Sequence, residues 1–116
     1  MANDTLEMTL LFDFFGDLLT DKQREYFDYY YNDDLSLSEI AEITGISRQG
    51  VRDVLLRARS LLCEYEEKTG VVKRFQELRS GISALQKDAE LLAELTEGGA
   101  KETALRISEG LNKLKG

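Results

Sequence analysis

Histidine and proline are missing from this sequence of 116 residues, and cysteine occurs only once. Without histidine, the chain has no imidazole metal ligand, no Ser–His or Cys–His nucleophile pair and no ordinary proton shuttle. The single cysteine, Cys63, excludes an intrachain disulfide, and its apolar and aromatic neighbours predict a buried thiol. Because no proline interrupts the backbone, long helices are expected.

Long apolar runs, nucleotide-binding loops and metal-ligand clusters are missing as well. No uninterrupted apolar run approaches the ~20 residues of a membrane span. Residues 1–4 carry an acidic rather than a basic side chain, unlike a secretory signal. The carboxylates form no recognisable pair in an apolar pocket. We therefore expect a cytoplasmic protein that is not an enzyme and has no cofactor or metal ion.

Charge is distributed unevenly along the chain. The net charge of −7 opposes nucleic-acid binding by the molecule as a whole. Residues 1–46 hold eleven carboxylates and two basic side chains, whereas residues 47–79 carry a net charge of +3 and residues 80–116 a net charge of −1. A basic segment on an acidic body is compatible with polyanion binding.

A helix-turn-helix pattern occupies residues 35–52, LSLSEIAEITGISRQGVR. Ser36 and Glu39 have the spacing of a capping box at the start of a first helix. Gly45 supplies the turn, because glycine adopts a positive φ without a steric penalty. Ser47 is suited to cap the second helix. Together these residues predict two short helices crossing at a tight turn.

The second helix of the motif is expected to run from Arg48 to about Lys68, with apolar residues along one side. Six residues at its start and along its other sides are candidate nucleic-acid contacts: Ser47, Arg48, Gln49, Arg52, Arg57 and Arg59. Arginine and glutamine suit the phosphates and base edges of a major groove. Asp53 lies on the same side and would repel phosphate, so an ordinary solvated helix face remains the alternative.

Two further helices are predicted before the motif. The first covers residues 4–18, with a capping box formed by Asp4 and Glu7, and is so apolar that it needs cover on most sides. We favour a place in the core over a subunit interface. The second begins with a capping box formed by Thr20 and Gln23 and reaches about Tyr31. Its clustered aromatics fit either a nucleobase-stacking platform or packing with phenol oxygens at the surface, and adjacent carboxylates favour packing.

Two heptad seams follow the motif, separated by a glycine pair at residues 98–99. One comprises Val71, Phe75, Leu78, Ile82, Leu85, Ala89 and Leu92, and the other Ala104, Ile107, Leu111 and Leu114. The two helices either fold back as a hairpin or pair between the subunits of a homodimer. The sequence thus predicts a helix-turn-helix domain over residues 1–69. It also predicts a helical extension over residues 70–116 that packs on that domain or on a partner subunit.

Residues 20–62 resemble region four of bacterial sigma factors, which reads promoter DNA. The segments LTDKQRE, LSLSEIA and GISRQGV carry that resemblance. Nearly the whole chain is similar to the YlxM family, small helix-turn-helix-like proteins of Gram-positive bacteria. This second resemblance rests on the combination of LFDFF, LLTDKQR, SRQ and YEEK, which begin at residues 11, 18, 47 and 65.

The family resemblance implies an all-α, sigma-region-four-like helix-turn-helix fold of the winged-helix-like DNA-binding type. An extra N-terminal apolar helix and C-terminal helices would be added to it. It also implies an accessory or regulatory role around the signal recognition particle, in association with the particle's GTPase and RNA. Two hypotheses stay open. The protein is either a regulator that binds DNA or RNA, or an interaction module whose acidic half or C-terminal helices dock the GTPase.

Overall fold

The computed structural model describes residues 5–116, which contain helices and no strand. In chain order the α-helices are α1 (Thr5–Phe15), α2 (Asp21–Phe27), α3 (Leu37–Thr44), α4 (Arg48–Thr69), α5 (Val71–Leu95) and α6 (Gly99–Lys115). The all-α prediction is confirmed. The chain divides into two compact units, one ending at Val72 and one spanning Lys73–Gly116. Within residues 5–116, no helix combines the length and apolar content needed to cross a membrane.

The core of the first unit is built around α4. Helices α1, α2 and α3 all pack against it. From α4 the core receives Val51, Leu55, Ala58 and Leu62, which are fully buried and spaced to share one side of a helix. The same cluster includes nine residues from the other segments: Met8, Leu11, Phe15, Leu19, Tyr26, Phe27, Tyr31, Ile40 and Val72.

Helix α1 takes the expected place in the core, but along one side only. Met8, Leu11 and Phe15 are buried there. Leu6 and Leu18, on other sides of this segment, are 88% and 62% exposed. The apolar surface predicted to need cover on most sides is therefore only partly covered within the unit.

The two ends of the first helix compare differently with the prediction. The proposed capping residue Asp4 lies outside the described residues. At its other end, α1 stops at Phe15, and Gly16–Leu18 tighten into a 3-10 turn. A Cβ on Gly16 would lie 3.1 Å from the ring of Phe12. The glycine therefore lets the backbone turn close to that ring.

Helix α2 begins with the predicted type of cap. The hydroxyl oxygen of Thr20 accepts a hydrogen bond from the Gln23 N–H at 3.1 Å, and the Gln23 side-chain oxygen accepts one from the Thr20 N–H at 3.0 Å. After Phe27 the helix widens into one π-helical turn, Asp28–Asn32.

The aromatic residues of this segment form part of the core. The Phe27 ring stacks on Phe12 at a centroid distance of 4.7 Å and on Tyr31 at 4.3 Å. Because Tyr26, Phe27 and Tyr31 are buried, they are not available as a stacking platform for bases, and the packing interpretation is confirmed. One detail was wrong. The Tyr31 hydroxyl is buried rather than at the surface, because the π-helical turn carries this residue into the core.

The prediction of a buried thiol at Cys63 was wrong, because this residue is exposed. Its chain neighbour Leu62 is fully buried. Adjacent residues on an α-helix point about 100° apart, so an apolar neighbour in sequence does not place a side chain in the core.

The second unit contains an antiparallel helical hairpin formed by α5 and α6. The Gln86 amide donates to the Asn112 side-chain oxygen at 3.5 Å, and the Ser108 hydroxyl donates to the Glu90 carboxylate at 3.4 Å. Small residues dominate the buried positions: Ile82, Ala89, Ala93, Ala104 and Ser108. Only part of each predicted heptad seam is thus buried within the hairpin.

Candidate nucleic-acid interface

Local hydrogen bonds define where α3 begins and ends. The Ser36 hydroxyl accepts from the Glu39 N–H at 3.1 Å, and the Glu39 carboxylate accepts from the Ser36 N–H at 3.0 Å. The pKa of Glu39 is lowered chiefly because its carboxylate accepts a hydrogen bond from the Ser36 backbone, and to a smaller extent because of its hydrogen bond with the Ser36 side chain. At the other end Gly45 has φ 76°, and its N–H donates to the Ala41 carbonyl at 2.9 Å. The predicted cap and turn are both present.

The turn leads directly into the cap of α4. The Ser47 hydroxyl accepts from the Gly50 N–H at 3.0 Å. A Cβ on Gly50 would lie 3.2 Å from that hydroxyl and 3.3 Å from the Ile46 side chain, so a glycine leaves room for both. Sequence reasoning assigned no role to Gly50, although a glycine three residues after a capping serine was a visible signal. Ile40 of α3 and Val51 of α4 are fully buried and hold the two helices together.

Three of the six candidate residues lie together at the start of α4. Arg48, Gln49 and Arg52 are exposed and line one shallow depression with Leu37 of α3. Arg48 and Arg52 are about one turn apart and share a side of the helix. Ser47 lies directly before them, and its hydroxyl caps the helix that presents these side chains.

The remaining two candidates, Arg57 and Arg59, lie on different sides of α4. Arg59 points within about 20° of Arg48 and lies about 16 Å further along the helix, so it continues the same side. It is half-buried and has contacts of its own. Arg57 is turned about 140° away from Arg52. The basic line on α4 therefore consists of Arg48, Arg52 and Arg59.

The electrostatics of this surface are mixed. The positive end of the α4 dipole lies at Ser47 and attracts anions. Asp53 opposes that attraction, and the Gln49 amide nitrogen donates to its carboxylate at 2.9 Å. Before Gln49 could form two hydrogen bonds with an adenine edge, this intramolecular bond would have to be exchanged.

The arrangement of α3, the Gly45 turn and α4 places this protein in the class of all-α helix-turn-helix proteins. The sequence model of a family described as "Putative helix-turn-helix protein, YlxM / p13 like" matches residues 2–101. The chain belongs to this family, and the resemblance to the YlxM family noted from its sequence is confirmed.

Curated relatives cover most of the chain. A UPF0122 protein of Thermoanaerobacter sp. is 54% identical over 94 residues, 81% of this chain and 80% of its own length. One of Shouchella clausii is 48% identical over 87 residues, 75% of this chain and 80% of its own length. One of Bacillus cereus is 42% identical over 114 residues, 98% of this chain and 99% of its own length.

Proposed function

We propose that this protein is a non-enzymatic regulator that binds duplex DNA through the start of α4. The supporting observation is the exposed group of Arg48, Gln49 and Arg52. These residues lie at the N-terminal end of α4, the second helix of the helix-turn-helix. A guanidinium group pairs with phosphate oxygens or with O6 and N7 of guanine, and a glutamine amide pairs with adenine. Arg59 extends the line of positive charge toward a neighbouring phosphate.

The acidic body makes this binding strongly dependent on salt. A molecule with a net charge of −7 gains affinity only where its basic line meets phosphates, and each neutralised phosphate releases counterions. Asp53 adds repulsion at the same surface, and it also offers an acceptor for the amino group of cytosine. We therefore infer modest affinity for arbitrary DNA and a preference for particular base pairs.

The test is fluorescence anisotropy with a labelled pool of duplex DNA at low salt. In the Arg48→Ala/Arg52→Ala variant we expect affinity to fall at least about tenfold, because good base or phosphate contacts contribute about 1–3 kcal/mol each. Lys87→Ala/Lys101→Ala is the matched control, since it also removes two positive charges but lies in the second unit. Equal losses in both variants, or no binding by the wild-type protein, would overturn the proposal.

A second candidate function draws support from the acidic surface of the first unit. All ten carboxylates among residues 5–46 are exposed. Such a surface complements a basic partner. On this alternative the helix-turn-helix is a scaffold, and the protein docks the GTPase of the signal recognition particle or associates with its RNA. A complex with the purified GTPase that survives both nuclease and Arg48→Ala/Arg52→Ala would favour docking. Its absence would count against it.

A further inference from the structure

One side of the α5–α6 hairpin is apolar and uncovered by the rest of the second unit. Leu78, Leu85 and Leu92 recur at intervals of seven residues along α5, and they are 61%, 57% and 48% exposed. On α6, Ile107 and Leu114 are also seven residues apart, and they are 49% and 74% exposed. A seven-residue repeat keeps side chains on one side of a supercoiled helix, where a partner helix would cover them.

These five side chains share one surface of the hairpin. The residues of α5 that face α6 are centred on Ile82 and Ala89, and the leucines lie about 40–80° to one side of them. Ile107 and Leu114 lie at a similar angle from the α6 line that begins at Ala104. Because the helices are antiparallel, rotations of the same sense carry both sets to the same side.

The hydrogen bonds between the helices occupy the opposite side, where Gln86 meets Asn112 and Ser108 meets Glu90. The hairpin is therefore polar on one side and apolar on the other. We call the apolar side, formed by Leu78, Leu85, Leu92, Ile107 and Leu114, the leucine face.

The leucine face alternates ridges and gaps. Gly81 lies between Leu78 and Leu85, and Gly110 lies between Ile107 and Leu114. A Cβ added to either glycine would meet no atom within 4 Å, so the packing of the hairpin does not require these glycines.

The two edges of the leucine face carry opposite charges. At about 100° per residue, Asp88 borders it on the part of α5 that runs beside α6, whereas Arg106 and Lys113 border it on α6. Arg74 and Glu77 lie on the same border of α5 beyond the end of α6, and all five side chains are exposed. A partner that fits this face is therefore apolar along its middle, acidic on one border and basic on the other.

We propose that the partner is a second copy of this chain, and that two leucine faces pair to form an antiparallel four-helix bundle. A two-fold axis parallel to the helices places α5 of one copy over α6 of the other. Leu85 and Leu92 of each α5 then lie level with Leu114 and Ile107 of the opposing α6, and Asp88 lies between the levels of Lys113 and Arg106. The five side chains expose on the order of 500 Å² of apolar surface, enough for the core of an interface of ~800 Å² per partner.

The homodimer goes beyond the proposed DNA binding and does not depend on it. Light scattering of the full chain should give twice the 13.2 kDa mass of one copy. Leu85→Glu should shift the mass to that of one copy, because each interface would bury two unpaired carboxylates. Leu91→Glu is the matched control, since Leu91 is 52% exposed on another side of α5 and this variant should stay dimeric. Circular dichroism checks that both variants keep their helices.

A charge exchange tests the orientation of the two copies. Asp88→Lys should raise the dimer dissociation constant about three- to tenfold, because it places like charges opposite Arg106 or Lys113 twice per dimer. Adding Arg106→Glu should restore the affinity. A monomeric wild-type mass, or a dimer that survives Leu85→Glu, would overturn the proposal. A dimer that is lost in Leu85→Glu but unaffected by the charge exchange would overturn the antiparallel arrangement.

Discussion

At the scale of single residues, the crossing of α3 and α4 depends on a few positions with strict backbone requirements. Gly45 holds a left-handed conformation, and Ser47 places its hydroxyl against the N–H of Gly50. Gly50 lacks the Cβ that would crowd this cap. These residues determine where Arg48 and Arg52 point.

Replacement of Gly45 measures the energetic importance of the turn. Gly45→Ala should lower the free energy of unfolding by about 1–2 kcal/mol, because a Cβ is disfavoured at φ 76°. No atom lies within 4 Å of the added Cβ, so the loss reflects backbone strain alone. Gly45→Asn should lose less, since asparagine tolerates this conformation. Urea unfolding that gives equal stability for wild type and Gly45→Ala would contradict this.

At the scale of secondary-structure elements, α4 serves the core and the candidate interface with different sides of one helix. Its buried side packs against α1, α2 and α3. Its exposed start carries Arg48, Gln49 and Arg52. Because a helix fixes the direction of every side chain relative to its neighbours, the packing of the core also sets the position of the arginines.

A change at the N-cap of α4 separates folding from binding. Ser47→Asp should keep the stability of the wild type, because aspartate caps helices as well as serine does and its charge suits the helix dipole. DNA affinity should fall, since a carboxylate would stand beside Arg48. Ser47→Ala should do the reverse, losing about 1 kcal/mol of stability without changing the charge. Wild-type affinity in Ser47→Asp would place the DNA site elsewhere.

At the scale of the whole molecule, the chain has two separate sets of buried residues. The core of the first unit reaches past the Gly70 turn to Val72, which is 5% exposed. The Val72 N–H also donates to the Glu66 carboxylate at 2.9 Å. The boundary of the first unit therefore falls after Val72, three residues beyond the predicted domain 1–69.

Two fragments test that boundary. We expect residues 1–72 to be more stable than residues 1–69 by about 2 kcal/mol, the typical contribution of one buried valine side chain. Urea unfolding of the two fragments measures the difference. Val72→Ala in the longer fragment is the control, and it should show part of the same loss of stability. Equal midpoints for both fragments would show that Val72 contributes nothing to this core.

The sequence by itself determined the local structure and the family. The caps at Thr20, Ser36 and Ser47 and the turn at Gly45 were predicted correctly, because each depends on atoms within about four residues. The periodicity of α4 also identified its buried side correctly. These predictions hold in the folded structure because the caps, the turn and the helix periodicity do not depend on contacts with residues far away in the chain.

Only the tertiary structure decided which sides of each helix are covered. The sequence could not show that Tyr31 turns its hydroxyl inward. It could not show that Leu85 stays exposed while Ile82 and Ala89 are buried. Periodicity reports which residues share a side of a helix, but burial depends on the neighbouring helix, whose position is set by packing between residues far apart in the chain.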